Sequence, residues 1–106
     1  MTYQIVSVDR EAEMTPQVEQ EILGKIGKLD KFLARVPEEN YFLRIRLSPN
    51  APNPRWTDAL LDLNVEGDVL IGTGSADTPV HAVHLATIEL ERQLEERKQR
   101  LKPYAS

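Results

Sequence analysis

The run YFLRIRL, Tyr41 to Leu47, alternates with period two, and two more strand-like runs follow it. Tyr41, Leu43, Ile45 and Leu47 fall on one side, with Phe42, Arg44 and Arg46 on the other. WTDALLDLNV places Ala59, Leu61, Leu63 and Val65 on one face and Asp58, Asp62 and Asn64 on the opposite one. Glu66-Gly67 turns the chain, and DVLIGTG returns as a hairpin partner. Between the first two runs, SPNAPNPR holds three of the seven prolines and reads as a loop. An antiparallel sheet with one apolar face needs a cover, and that requirement fixes what the rest of the chain must supply.

The cover comes from two amphipathic segments. Thr15 caps and Pro16 starts the first, where a missing N–H costs nothing. Val18, Ile22, Ile26, Leu29 and Leu33 then recur at three- and four-residue steps, until Pro37 ends the pattern. Asp77-Thr78-Pro79 opens the second segment, whose inner face carries Val83, Thr87, Leu90, Leu94 and Leu101 before Pro103. YQIVSV, Tyr3 to Val8, is a short β-branched strand bounded by DREAE. The order is β-α-β-β-β-α, which predicts an α+β two-layer sandwich: a four-stranded sheet covered by two helices.

The chain has 106 residues, which predicts one domain over 1–106. It contains no cysteine, which excludes disulfide frameworks, thiol catalysis and cysteine–zinc sites. The absence of a signal-like N-terminus and of a membrane-length apolar run predicts a cytoplasmic protein with no membrane partner. With 17 Asp+Glu against 13 Lys+Arg, the formal charge is −4. Loose binding of nucleic acid over the whole surface is therefore not expected, and any polyanion site must be local.

The cations do cluster. At about 100° per residue, Lys25, Lys28, Lys31 and Arg35 fall within one sector flanking the apolar face of the first helix. Gly24 lies in that sector and Gly27 is also outward. Solvated lysines explain the stripe blandly; small residues beside cations that admit a phosphate backbone explain it functionally. In the second helix Arg92 is mixed with Glu95 and Glu96, whereas Arg97, Lys98, Arg100 and Lys102 are uniform in sign but point in several directions. Cations at a helix C-terminus also complement the helix dipole, by about 0.3–1 kcal/mol each.

Other candidates are thinner. His81 and His84 sit about one turn apart without an evident third ligand, so no metal site is expected. Asp58 and Asp62 are about 13 Å apart along a strand, too far for a glycosidase pair. GTGSAD lacks the third glycine of a nucleotide loop. No nucleophile, base and orienting group form a set, so neither catalysis nor a cofactor is expected. Leu85 and Ile88 point away from Leu90 and Leu94, which means either burial on a broad helix face or a surface for self-association.

The helix QEILGKIGKLDKF, with its Thr-Pro start and K-x-x-K-L, and the ending LERQLEERKQRLK carry a resemblance. With the β-α-β-β-β-α order they resemble the ribosome hibernation-promoting factors and ribosome-associated translation inhibitors, formerly described as sigma-factor modulation proteins. The similarity runs from the first strand to Lys102. It implies a fold like that of double-stranded-RNA-binding domains, with both helices on one face of the sheet. It also implies binding of small-subunit rRNA in the mRNA–tRNA channel, to block translation in starved cells. The positions matching the family's rRNA contacts are Lys25, Lys28, Arg92, Arg97, Lys98 and Arg100; charge geometry adds Lys31, Arg35 and Lys102. The second helix departs from the family pattern of Asp, then Tyr two residues on, then an acid or amide: Thr78, Val80 and His84 stand there. Because the chain stops at Ser106, the resemblance is to a short form acting on single ribosomes.

The leading expectation is thus a non-enzymatic ribosome-associated inhibitor whose partner is the small ribosomal subunit, gripped through a basic two-helix face. Acids elsewhere (Asp9, Glu11, Glu13, Glu38, Glu39, Glu66, Asp68) would orient its approach. The rival expectation is a protein-interaction module of the same fold, with weak or no RNA binding and a homodimer contact through Leu85 and Ile88.

Overall fold

The computed structural model describes residues 2–7 and 14–101. Val8, Asp9, Glu11, Glu13, Lys102 and Pro103 lie outside the described residues, as does the side chain of Leu101. The elements are β1 (Tyr3–Ser7), α1 (Pro16–Ile26), a 3-10 turn (Gly27–Leu29), α2 (Asp30–Leu33), a second 3-10 turn (Glu38–Asn40), β2 (Tyr41–Pro49), β3 (Thr57–Val65), β4 (Asp68–Ala76) and α3 (Pro79–Leu101). The strands lie in the order β1-β2-β3-β4. β1 runs parallel to β2, with Ile5 opposite Ile45, and the other two pairs are antiparallel. A parallel pair needs a crossover, and α1 with α2 supplies it.

Both helix starts form as their sequences predict. The Thr15 hydroxyl accepts a hydrogen bond from the Val18 N–H at 3.1 Å, and that of Thr78 accepts one from the His81 N–H at 3.1 Å. The first helix differs from its expected continuous form: the 3-10 turn at Gly27–Leu29 interrupts it and α2 ends at Leu33. Gly27, a poor helix former, begins that tightened turn. The apolar face survives the change, because Ile22, Ile26, Leu29 and Leu33 are all buried. They share one core with Leu43, Ile45, Leu61, Leu63 and Val65 of the sheet and Val83, Ala86, Leu90 and Leu94 of α3.

The outward charges of β2 and β3 oppose one another only in part. Arg44 stands opposite Asp62, but Arg46 faces Leu60 and Asp58 faces Ser48. Asp58 serves the loop instead: its carboxylate accepts from the Ser75 hydroxyl and, at 2.9 Å, from the Asn50 amide. Those hydrogen bonds hold its carboxyl below the ordinary range despite some burial. Asn50 also accepts from the Asn53 N–H at 2.9 Å and donates its own N–H to the Trp56 carbonyl at 3.0 Å, closing the proline-rich loop.

The GTG segment is strand, not a nucleotide loop; β4 continues through it to Ala76. Its glycines lie directly under α3. A Cβ at Gly72 would collide with the Ala86 carbonyl oxygen and lie 3.1 Å from the Leu90 nitrogen. At Gly74 it would collide with the Ala82 carbonyl and lie 2.8 Å from the Ala86 nitrogen. The helix backbone therefore rests on the strand backbone at two points. The Gln93 side chain adds a polar tie, donating to the Ile71 carbonyl at 2.6 Å and accepting from the Ile71 N–H at 3.3 Å. This seating leaves Leu85 and Ile88 outside the helix's buried face, at 36% and 48% exposure. Burial on a broad face does not account for them.

Glycine substitutions should separate sharply by site. Gly74→Ala is expected to destabilise the protein by about 1–3 kcal/mol, because backbone atoms must move to admit the methyl group. Gly24→Ala, where a Cβ meets nothing within 4 Å, should stabilise it by about 0.5–1 kcal/mol. Urea-unfolding midpoints for the two variants check both signs.

Candidate nucleic-acid interface

Residues seven apart on an α-helix return to nearly the same direction, about 20° short of it. His84, Glu91 and Lys98 form such a line on α3, and each meets a cation of the other helical segment. Lys25 and Lys28 lie close enough to His84 for their charges to disfavour its protonation. Lys31 Nζ is 3.6 Å from Glu91 Oε2 and 5.1 Å from the centroid of the Phe32 ring. Arg35 and Lys98 line the same groove. The two helical segments therefore run side by side in the same direction, with a seam of charge between them.

At its C-terminal end the seam opens into a groove of about 600 Å³. Lys31, Arg35, Arg97 and Lys98 line it together with Phe32, Ala34 and Leu94. Cations around an apolar floor suit a phosphate backbone with a base lying against the floor.

Of the nine cations named from the sequence, Lys102 lies outside the described residues, and the other eight do not fall together as one set. Lys25, Lys28, Lys31, Arg35 and Lys98 lie along the seam. Arg97 lines the groove, but its charge is committed inside the protein. Its Nε is 2.7 Å from Asp68 Oδ2 and an Nη is 3.1 Å from Glu66 Oε1, with the side chain only 12% exposed. Those two carboxylates flank the β3–β4 turn, where Glu66 and Gly67 adopt φ of 49° and 89°. Two positive φ values are what a tight two-residue hairpin turn requires. Arg97 thus ties that turn to α3. Arg92 lies on the outward line with Leu85 and Ile88, and its guanidinium is 2.7 Å from Glu96. Arg100, exposed and seven residues beyond Gln93, is on the flank that faces β4.

His84 escaped the sequence reading as a seam residue, although its seven-residue spacing to Glu91 and Lys98 signals the shared face. Its ring is 6.4 Å from that of His81, whose Nδ1 is 3.8 Å from Asp77 Oδ1. Among the described residues no group of three histidine, cysteine or acidic side chains could hold a metal. No helix among them is long and apolar enough to cross a membrane.

Together these features define an α+β fold of two helical segments on one mixed sheet, with a cationic seam between the segments. The chain belongs to the family described as sigma 54 modulation protein / S30EA ribosomal protein, whose model matches residues 5–102. This is the family to which the likeness to hibernation-promoting factors pointed. Two solved structures share the fold. The Protein Y N-terminal domain of Thermus thermophilus superposes with a TM-score of 0.71 at 15% identity, covering 92% of this chain and 99% of that one. A ribosomal subunit interface protein of Coxiella burnetii gives 0.70 at 16% identity, covering 93% and 99%. No curated protein matches the sequence.

The different settings of Arg97 and Lys98 should show in stability. Arg97→Ala is expected to cost about 1 kcal/mol, since its partners are half-exposed, and to raise amide exchange at the β3–β4 turn. Lys98→Ala should stay within about 0.5 kcal/mol of wild type. Thermal melts with hydrogen-exchange mass spectrometry read both.

Proposed function

We propose that this protein is a single-domain, non-enzymatic hibernation factor of the cytoplasm that binds small-subunit rRNA. It uses the seam between its helical segments. The observation that carries the reading is the row Lys25, Lys28, Lys31 and Arg35 running beside α3, joined by Lys98 at the groove. The mechanism is steric and electrostatic. Seam cations replace the counterions of rRNA phosphates, and the bound protein occupies the channel that mRNA and tRNA need. Family membership and the fold shared with a ribosomal subunit interface protein support a ribosomal partner.

The salt dependence follows from the five seam cations. If each contacts one phosphate, log K falls against log salt with a slope of about −4, a loss of several hundred-fold between about 50 and 200 mM salt. Six contacts would give about 10³-fold. Co-sedimentation with purified small subunits tests this. Lys25→Glu, Lys28→Glu and Lys98→Glu should each weaken binding at least about tenfold and reduce the slope by about 1 or more. Arg92→Glu, on the outward line, should change it less than about threefold. A shallow slope, or equal losses from Arg92 and Lys28, would refute the seam as the binding face.

A second reading rests on the exposure of Leu85 and Ile88 beside each other on α3. Under it the outward line is a homodimer contact and the protein an interaction module. Gel filtration coupled to light scattering decides it: Ile88→Glu converts a dimer to monomer if this reading holds and changes nothing otherwise.

A further inference from the structure

The N-terminal end of the seam holds positive charge around a side chain that is itself able to become positive. His84 projects from α3 toward α1, half-buried, with Lys25 half-buried and Lys28 exposed nearby. Its Nδ1 is fully buried and has no hydrogen-bond partner. Buried ring nitrogens ordinarily find one, so this imidazole is left without the acceptor that would stabilise its charged form. Among the described residues, His81, one turn back, and Glu91, two turns on, also act on its charge. His81 lies near Asp77, and the Glu91 carboxylate is already shared with Lys31. Beside the lysines the surface is open: a Cβ at Gly24 or at Gly27 would meet nothing within 4 Å.

We propose that His84, Lys25 and Lys28 form a proton-gated site for one phosphodiester group, which His84 joins as an imidazolium when the phosphate is present. The proposal deepens the rRNA-binding reading and rests on it. Burial, the two lysines and His81 together hold the His84 imidazole below its ordinary range, against the weaker pull of Glu91, so the free protein keeps it neutral near pH 7. A bound phosphate reverses the local field and supplies the missing counter-charge. Proton uptake and phosphate binding are then linked, and each strengthens the other. The sign follows directly. Affinity rises as pH falls through the imidazole's titration in the complex, and the rise stops once the free protein's His84 is also protonated.

The test is a titration of the full-length protein by NMR, following the His84 and His81 ring Cε1–H signals from pH 5 to 8. The probe is a short single-stranded oligouridylate, whose phosphodiesters and bases do not titrate in that range. With oligouridylate bound, the His84 midpoint should move up by at least about half a pH unit while His81 moves less. Affinity for the same probe should tighten by about three- to tenfold from pH 8 to pH 6 in wild type and by less than about twofold in His84→Gln. In Lys25→Ala/Lys28→Ala the probe-induced shift at His84 should vanish. Should the probe bind while the His84 midpoint stays fixed, or His84→Gln keep the wild-type pH profile, the gate is wrong and the seam reading stands. Failure of the probe to bind at any pH removes the seam reading and the gate together.

Discussion

The rotation of α3 about its own axis decides which of its residues face α1 and α2 and which face solvent, and a backbone contact sets that rotation. Gly72 and Gly74 let β4 approach until the Ala82 and Ala86 carbonyls lie where side chains would otherwise stand. With Ala82 and Ala86 held down, the line His84, Glu91 and Lys98 must face the first helical segment, and Leu85, Ile88 and Arg92 must face away. The core reinforces this orientation through Leu90 and Leu94, but apolar side chains alone tolerate repacking. Two backbone contacts do not.

The same orientation reconciles a net charge of −4 with a local cationic surface. Acids are not spread evenly over the cations. Glu66 and Asp68 at the hairpin turn engage Arg97, and Glu96 engages Arg92. On the seam, Glu91 of the α3 line meets Lys31. Arg97 is thus neutralised on the β4 side of α3 and Arg92 on its outward side, whereas Lys25, Lys28, Arg35 and Lys98 have no carboxylate at ion-pair distance among the described residues. Pairing at short range fixes structure there, while unpaired charge on the seam reaches into solvent over about a Debye length.

Much of this architecture could be read from residue order. Period-two alternation marked β2 and β3, the Thr-Pro pairs marked both helix starts, and the three- and four-residue apolar steps named the buried positions. What could not be read depended on contacts between distant segments. Nothing local to GTGSA says that a helix will press on it, so its glycines read only as part of a strand. Nothing local to Arg97 says that Glu66, thirty-one residues earlier, will hold it. The cations of α1 and α2 were legible as a stripe because one helical period generates them. Those of α3 were not, because their role depends on what lies on either side of the helix. His84 was visible only as half of a poor metal pair until its neighbours on α1 were in place.

β4 is an outer strand of the sheet, and half of its backbone groups point away from β3. At Ile71 both of those groups are already satisfied, by one amide side chain reaching down from Gln93. A primary amide presents one donor and one acceptor side by side, as a peptide unit of a neighbouring strand would. Gln93 thus acts as a single-residue counterfeit of the next strand. It interrupts the template midway along its length, so another chain's strand arriving at this border finds no continuous row of partners.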